Sequence, residues 1–364
     1  MKAYNMIGTK MQANTYSSFM IYGKLRLNFL KRIAVRAGGN LLGIKFLNLL
    51  MIIFFKLKDF LEPNIMENLD CILIMHGGRI SYEQDFLIWQ AKVNSVTTIS
   101  IQENWDNLSS KTILFQHPDY FATWGKQSSH HLKTIHNYRG NTREIGSIRF
   151  IDFHNFRNKF LSVNTTEHEV SVNTSQSRRI LIIGSGDGEH DLIITQEIIK
   201  LINLHKKLLN SKFNIIYRPH PYSAKIEKNC FDISKLNDVE IDIPSKNEND
   251  KHRLELVMQS DLLVSLYSTM ILESCILNKP CLIPSFLNLN WKYSTSKFLD
   301  QAEHYLGISN FESIFNVKSY DEVIKILMLI DKSYLNPIND ENLLNWYCAN
   351  LNPISELINL INSV

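Results

Sequence analysis

Short apolar runs alternate with helix-spaced stretches along most of this chain, and the alternation starts twice. Asp70–Gly78 (DCILIMHGG) reads as a buried strand ending in a glycine turn, Tyr82–Val93 has helical spacing, and Val96–Gln102 is β-branched. Tyr120–Gly125 is a further strand and residues 128–136 (SSHHLKTIH) a helix. After a polar stretch, residues 161–178, the pattern resumes with RRILIIG from Arg178, a long amphipathic run from Leu192, FNIIYRPHP from Phe213, DLLVSLYST from Asp261, MILESCILNK and a last short strand PCLIP. Strand followed by helix followed by strand means parallel sheets with crossover helices, because only a crossover returns the chain to the same end of the sheet. The fold class expected is therefore α/β, with two Rossmann-like domains whose ligand crevice lies at the carboxyl ends of the strands.

The boundaries follow from the same pattern. Residues 1–60 form a basic and apolar segment within the N-terminal domain, 61–165 the first Rossmann-like domain, 175–335 the second, and 336–364 C-terminal helices broken at Pro353 that cross back to the first. With 364 residues, 45% hydrophobic and 21% charged, the chain can bury two cores, which excludes a disordered or fibrous class. A net charge of +3 is too small to point to nucleic acid. The five cysteines are scattered without a CxxC pair, so neither a disulfide framework nor a zinc knuckle is expected, and no secretory signal is read. These features together place the protein in the cytoplasm.

The charge is uneven. Residues 1–60 carry ten Lys/Arg and one acid, Asp59, around the apolar run Leu41–Phe55. That run is interrupted by Lys45 and Asn48 and falls short of the ~20 residues of a spanning helix. It is either a helix buried under the first sheet or a basic, apolar element resting on an anionic membrane surface.

Four segments carry chemistry. The turn Gly184–Gly188 (GSGDG) lies between a strand and a helix, where Gly184 and Ser185 offer backbone N–H groups to an anion. In Tyr217–Pro221 (YRPHP) two prolines fix a strand end that presents Arg218 and His220, a pair suited to a phosphate and to the charge of a leaving group. In Ser260–Pro284 a strand ends at Ser268 and Thr269, which open a helix, and Glu273 follows one turn along, spaced to accept from ribose hydroxyls. Glu103–Lys111 (ENWDNLSSK) puts Trp105, Asp106, Asn107 and Lys111 directly after a strand, a set able to hold a sugar ring or simply to anchor a loop by its tryptophan.

These segments, in this order, resemble a group of bacterial GT-B glycosyltransferases from surface-polysaccharide loci. The resemblance runs over about residues 70–285 through Asn104–Lys111, Thr123–Gln127 (TWGKQ), Gly146–Asp152 (GSIRFID), YRPHP and the Ser260–Pro280 stretch. The last is also similar to glycerol- and ribitol-phosphate polymerases that use CDP-activated donors, and the His-Pro and Ser-Thr pairs to bacterial sialyltransferases. The resemblance implies a nucleotide-activated sugar donor held by Arg218, Ser268, Thr269, Glu273, Gly184 and Ser185. His220 and Arg218 would take the place of a metal at the leaving phosphate, with no cofactor. A glycan or lipid-linked acceptor would meet Trp105, Asn107, Lys111 and Glu83, with Asp106 or His76 as general base and Glu83 as a third candidate. The alternatives are a CDP-glycerol-type phosphotransferase, a nucleotide-sugar 2-epimerase and a non-catalytic nucleotide-binding subunit.

Overall fold

The computed structural model describes residues 41–61, 65–76, 82–111, 114–164, 177–184, 188–221, 238–244, 250–265, 268–286, 302–332, 341–348 and 352–364. They divide into two compact units, one within residues 1–149, 300–306 and 345–364, the other within 150–299 and 307–344.

In the first unit a helix α1 (Leu41–Leu61) precedes β1 (Cys71–His76), α2 (Tyr82–Val93), β2 (Thr97–Gln102), β3 (Tyr120–Thr123), α3 (Lys126–Thr134) and β4 (Asn141–Glu144). The sheet runs β1-β2-β3-β4, every pair parallel, as the strand–helix alternation requires. Among the described side chains of α1, Met51 and Phe55 seal against Phe86 and Trp89 of α2. On one face Ile99, Ile101, Ala122 and Ile145 pack against Leu360. That leucine belongs to a late helix, Pro353–Asn362, whose first turn is fixed by Pro353 and by the Asn352 side chain accepting from the Ser355 amide. Gly125 leaves room for the same returning segment, since a Cβ there would lie 2.8 Å from the Trp346 carbonyl oxygen.

The second unit opens with α4 (Ile151–Asn164) and continues through β5 (Arg178–Ile183), α5 (Gly188–Leu204), β6 (Phe213–Arg218), β7 (Val239–Ile241), α6 (Asp250–Met258), β8 (Leu262–Ser265), α7 (Met270–Ile276), β9 (Cys281–Pro284), β10 (Ile314–Val317) and α8 (Tyr320–Asp331). Its six strands run β10-β9-β8-β5-β6-β7, again all parallel. The core is built from Ile180, Ile182, Tyr217, Leu262, Val264 and Leu282 of the central strands with Ile194 and Ile198 of α5 and Val323 and Leu327 of α8. α8 begins with a capping box, Ser319 Oγ accepting from the Glu322 amide and Glu322 Oε2 from the Lys318 amide.

Three features differ from the sequence reading. α4 belongs with the second unit rather than the first, because Phe150 and Phe153 are buried there and the Arg253 guanidinium lies 5.2 Å over the Phe153 ring. The residues at 302–306 return to the first unit, where His304 and Tyr305 meet Trp105 edge-on. The strand PCLIP is not the last, since β10 pairs beyond it. The polar stretch 161–178 begins inside α4, and its residues 165–176 lie outside the described residues.

Candidate functional site

Parallel pairing puts all six carboxyl ends of the second sheet on one edge. The chain goes from β5 to β6 on one side and comes back to β8 on the other, so the strand order reverses between β5 and β8. Such a reversal opens a crevice between adjacent connections, the usual ligand position in open α/β sheets. Gly184 follows β5, Arg218 ends β6, Asp242 follows β7, and Ser268 and Thr269 follow β8.

Gly184 is packed directly on the Arg218–His220 loop. Its amide donates to the Arg218 carbonyl at 2.8 Å, and a Cβ would fall 2.6 Å from the His220 amide nitrogen and 3.0 Å from Pro219 Cα. The glycine is thus needed for a close backbone approach. Ser185, expected to join it, lies outside the described residues. His220 is exposed, while Arg218 is buried.

A buried guanidinium needs a counter-charge. Arg218 has one in Asp242, through Nη1 to Oδ2, and the other oxygen of Asp242 lies 2.8 Å from His252 Nε2. Two cationic-capable groups from β6 and α6 therefore share one carboxylate beside the strand ends. In the sequence Asp242 stands as a single carboxylate on an apolar run, and nothing local ties it to Arg218 or His252.

Ser268 caps the short helix α7, its Oγ accepting from the Met270 amide at 3.2 Å. Thr269 stands at the helix start and makes no capping side-chain bond. Both are partly exposed. Glu273 departs from its expected role as a ribose contact. Every residue of α7 is buried, so Glu273 has no solvent-facing side, and its Oε2 lies 3.2 Å from Arg253 Nε on α6.

The first unit corrects more of the reading. Trp105 offers no open face to a sugar. It is buried, donates Nε1–H to Gln127 Oε1 at 2.9 Å, and meets His304, Tyr305 and Tyr347 edge-on at 5.2, 4.9 and 5.3 Å. Asn107 is buried as well and donates to the His76 carbonyl at 2.6 Å, so it ties the π-helical turn Asn107–Lys111 to β1. His76, considered as a base, is enclosed with its ring 5.5 Å from Phe121. Asp106 remains partly exposed, and its carbonyl accepts from Ser109 Oγ at 3.2 Å. Glu83 is exposed near the start of α2, and the Lys111 side chain lies outside the described residues. Among the described acceptor-side side chains, Asp106 and Glu83 are thus the two that reach the surface.

Around Trp105 the structure gathers groups the sequence left apart. Ser109 Oγ lies 3.0 Å from His304 Nδ1, and Gln127 Nε2 donates to the His304 carbonyl at 3.1 Å. Burial pushes the neighbouring His131 imidazole down to about 3, with His304, His130 and His136 adding to the effect. Burial likewise raises the Glu303 carboxyl. The His131 imidazole is therefore neutral at pH 7. Among the described residues no three His, Cys, Asp or Glu side chains are placed to hold a metal ion. No described helix is long and apolar enough to cross a membrane.

Residues 186–298 match the family model described as CDP-Glycerol:Poly(glycerophosphate) glycerophosphotransferase. Among curated proteins none matches the chain. Solved structures do. The UDP-GlcNAc 2-epimerase of Methanocaldococcus jannaschii, in complex with UDP-GlcNAc and UDP, aligns over 86% of this chain and 80% of that one, at 13% identity and a TM-score of 0.51. A Listeria monocytogenes protein described as a UDP-N-acetylglucosamine 2-epimerase aligns over 86% and 77%, at 12% identity and a TM-score of 0.50. The wall teichoic acid polymerase TagF aligns over 97% and 98%, at 14% identity and a TM-score of 0.46. The two epimerases are GT-B proteins, and this chain has the GT-B fold.

Proposed function

We propose that the chain is a transferase of bacterial surface-polymer biosynthesis that takes its group from a nucleotide diphosphate donor. The observation that carries this reading is the position of Gly184, the Arg218–His220 loop and the Ser268–Thr269 helix start. All lie at carboxyl ends of one parallel sheet, either side of its order reversal. A guanidinium, an imidazole and the hydroxyls of Ser268 and Thr269 suit a diphosphate. The Gly184 amide, expected to meet an anion, is instead engaged by the Arg218 carbonyl. Arg218 with His220 suits the charge that builds on the diphosphate as it leaves. In this reading no resident metal is needed.

Two donors fit that chemistry. With a nucleotide sugar, an acceptor oxygen attacks the anomeric carbon, the bond from that carbon to the diphosphate breaks, and a nucleoside diphosphate leaves. With CDP-glycerol the acceptor oxygen attacks the glycerol-bearing phosphorus, the bridging P–O bond breaks, and CMP leaves. The family match over 186–298 favours the second, and the resemblance in the first domain favours the first. In either case a base must take the acceptor proton, and Asp106 and Glu83 are the described candidates that reach the surface, Asp106 standing directly after β2. The acceptor would be a glycan of O-antigen, capsule or lipopolysaccharide type, or a lipid-linked chain at the inner face of the cytoplasmic membrane.

Calorimetry with CDP-glycerol, UDP-GlcNAc, CMP, CDP and UDP, with and without magnesium, tests the reading. One nucleotide class binding without magnesium, at least about tenfold more weakly in Arg218→Ala, is the expected result. Binding by none of them overturns it. Conversion of a nucleotide sugar to its epimer with no acceptor present replaces the transferase by an epimerase.

A further inference from the structure

Ser265 is the last residue of β8, the strand at which the order of the second sheet reverses. It is 2% exposed, and its Oγ is enclosed with no hydrogen-bond partner among the described residues. The other buried serines described in the second unit all have one. Ser260, at the amino end of β8, donates to the Leu256 carbonyl at 2.7 Å, and Ser274 to that of Ile271 at 2.7 Å. Ser285 donates to the Val317 carbonyl at 2.9 Å and Ser313 to Cys275 Sγ at 3.3 Å. A buried hydroxyl without a partner costs stability, so alanine would serve the fold better at 265.

The strand register fixes what lies beside it. Ile183 of β5 pairs with Arg218 on one side and with Ser265 on the other. The three residues therefore form one row across the carboxyl ends of β6, β5 and β8. Residues in one row of a parallel sheet point to the same face, and two strand spacings set the outer two roughly 10 Å apart. Tyr217, Ile182 and Val264, each one position earlier, point the other way into the core shared with α5 and α8. The row thus carries a guanidinium at one end and a hydroxyl at the other, beside the reversal.

We infer that Ser265 is a donor-binding residue, its hydroxyl donating to a phosphate oxygen at the order reversal. A diphosphate lying along the row accepts from Ser265 at one end and faces Arg218 at the other. Because Oγ is enclosed at the strand end, the phosphate that reaches it sits down in the crevice against the sheet, not on its rim. The inference rests on the proposed function, since it takes a phosphate-bearing donor as given.

Calorimetry with CDP and UDP, together with urea unfolding in the absence of nucleotide, tests it on Ser265→Ala and Ser260→Ala beside wild type. Ser265→Ala should bind the nucleotide that wild type binds about five- to tenfold more weakly, while its urea midpoint stays the same or rises. Ser260→Ala removes a bonded hydroxyl from the other end of the same strand and should do the reverse, lowering the midpoint at unchanged affinity. A Ser265→Ala protein that binds like wild type overturns the inference. So does one whose midpoint falls as that of Ser260→Ala does, or that loses its unfolding transition, since the hydroxyl would then serve the fold. Wild-type protein that binds neither nucleotide overturns the proposed function and this inference with it, whereas normal wild-type binding with an indifferent Ser265→Ala overturns the inference alone.

Discussion

Glu273 Oε2 lies 3.2 Å from Arg253 Nε, joining α7 to α6 inside the second unit. Glu273 is fully buried, and Arg253 also lies over the Phe153 ring of α4, so three helices meet at one ion pair. A buried pair adds little over an apolar pair of the same shape, yet removing one partner strands the other. Glu273→Ala and Arg253→Ala are each expected to lower stability by about 3–5 kcal/mol in urea unfolding. The double variant should cost clearly less than the sum, as members of one buried pair are coupled. Additive losses would mean that the two residues act separately.

Asp242 stands between Arg218 and His252, and its two contacts differ in depth. Arg218 is buried, whereas the His252 side chain is about half exposed. Asp242→Asn leaves a buried guanidinium without its carboxylate and should cost roughly 3 kcal/mol. His252→Gln removes an exposed partner and should stay within about 1 kcal/mol. Urea midpoints at pH 7 check both. Equal losses for the two variants would show that His252, not Arg218, is the partner that Asp242 serves.

The sequence made some of this legible and hid the rest for physical reasons. β5, β6 and β8 are central strands, apolar on both faces, so their runs stand out without knowledge of the fold. β4, with Asn141, Thr142, Arg143 and Glu144, has no apolar run at all. It is a strand because its backbone pairs with β3 at the sheet edge. β10 and the short β7 are edges too. The local positions of Gly184, Arg218 and Ser268, at a turn, a strand end and a helix start, are readable because such places need particular residue types. Asp242 and Arg253 are not, because what defines them is a partner on another element. Trp105 leaves a sugar platform and a loop anchor open in the sequence, and its contacts favour the anchor. Its neighbours Asp106 and Asn107 suggest a sugar platform, but its contacts are Gln127, His304 and Tyr347, far away in sequence.

Gly184 tests how closely the strand ends are packed. A Cβ there meets backbone, the His220 nitrogen at 2.6 Å and Pro219 Cα at 3.0 Å, rather than a flexible side-chain tip. The loop carrying Arg218 and His220 would have to move. Gly184→Ala is expected to cost about 1–3 kcal/mol in thermal or urea unfolding and to weaken nucleotide binding with it. A variant with unchanged stability and affinity would show that the loop can yield without consequence.

Three histidines tie stability to acid. Burial pushes His131 down to about 3, helped by the neighbouring His304, His130 and His136. It takes His136 to about 4 against the opposing bond of Nε2 to the Leu108 carbonyl, and His154 to about 4 with Arg157 adding to the effect. In the unfolded chain each titrates near 6.5. Between 6.5 and about 4 the unfolded state therefore binds more protons than the folded one, and stability must rise with pH across that window. Their contribution is complete above 6.5 and is lost as pH falls towards 4 and 3, each unit of depression being worth about 1.4 kcal/mol. Urea midpoints should fall steadily from pH 6.5 to 4. His136→Gln, whose amide can still donate to Leu108, should show a shallower slope by about one proton, whatever its stability at pH 7. An unchanged slope in that variant would mean that His136 is already protonated in the fold or does not titrate on unfolding.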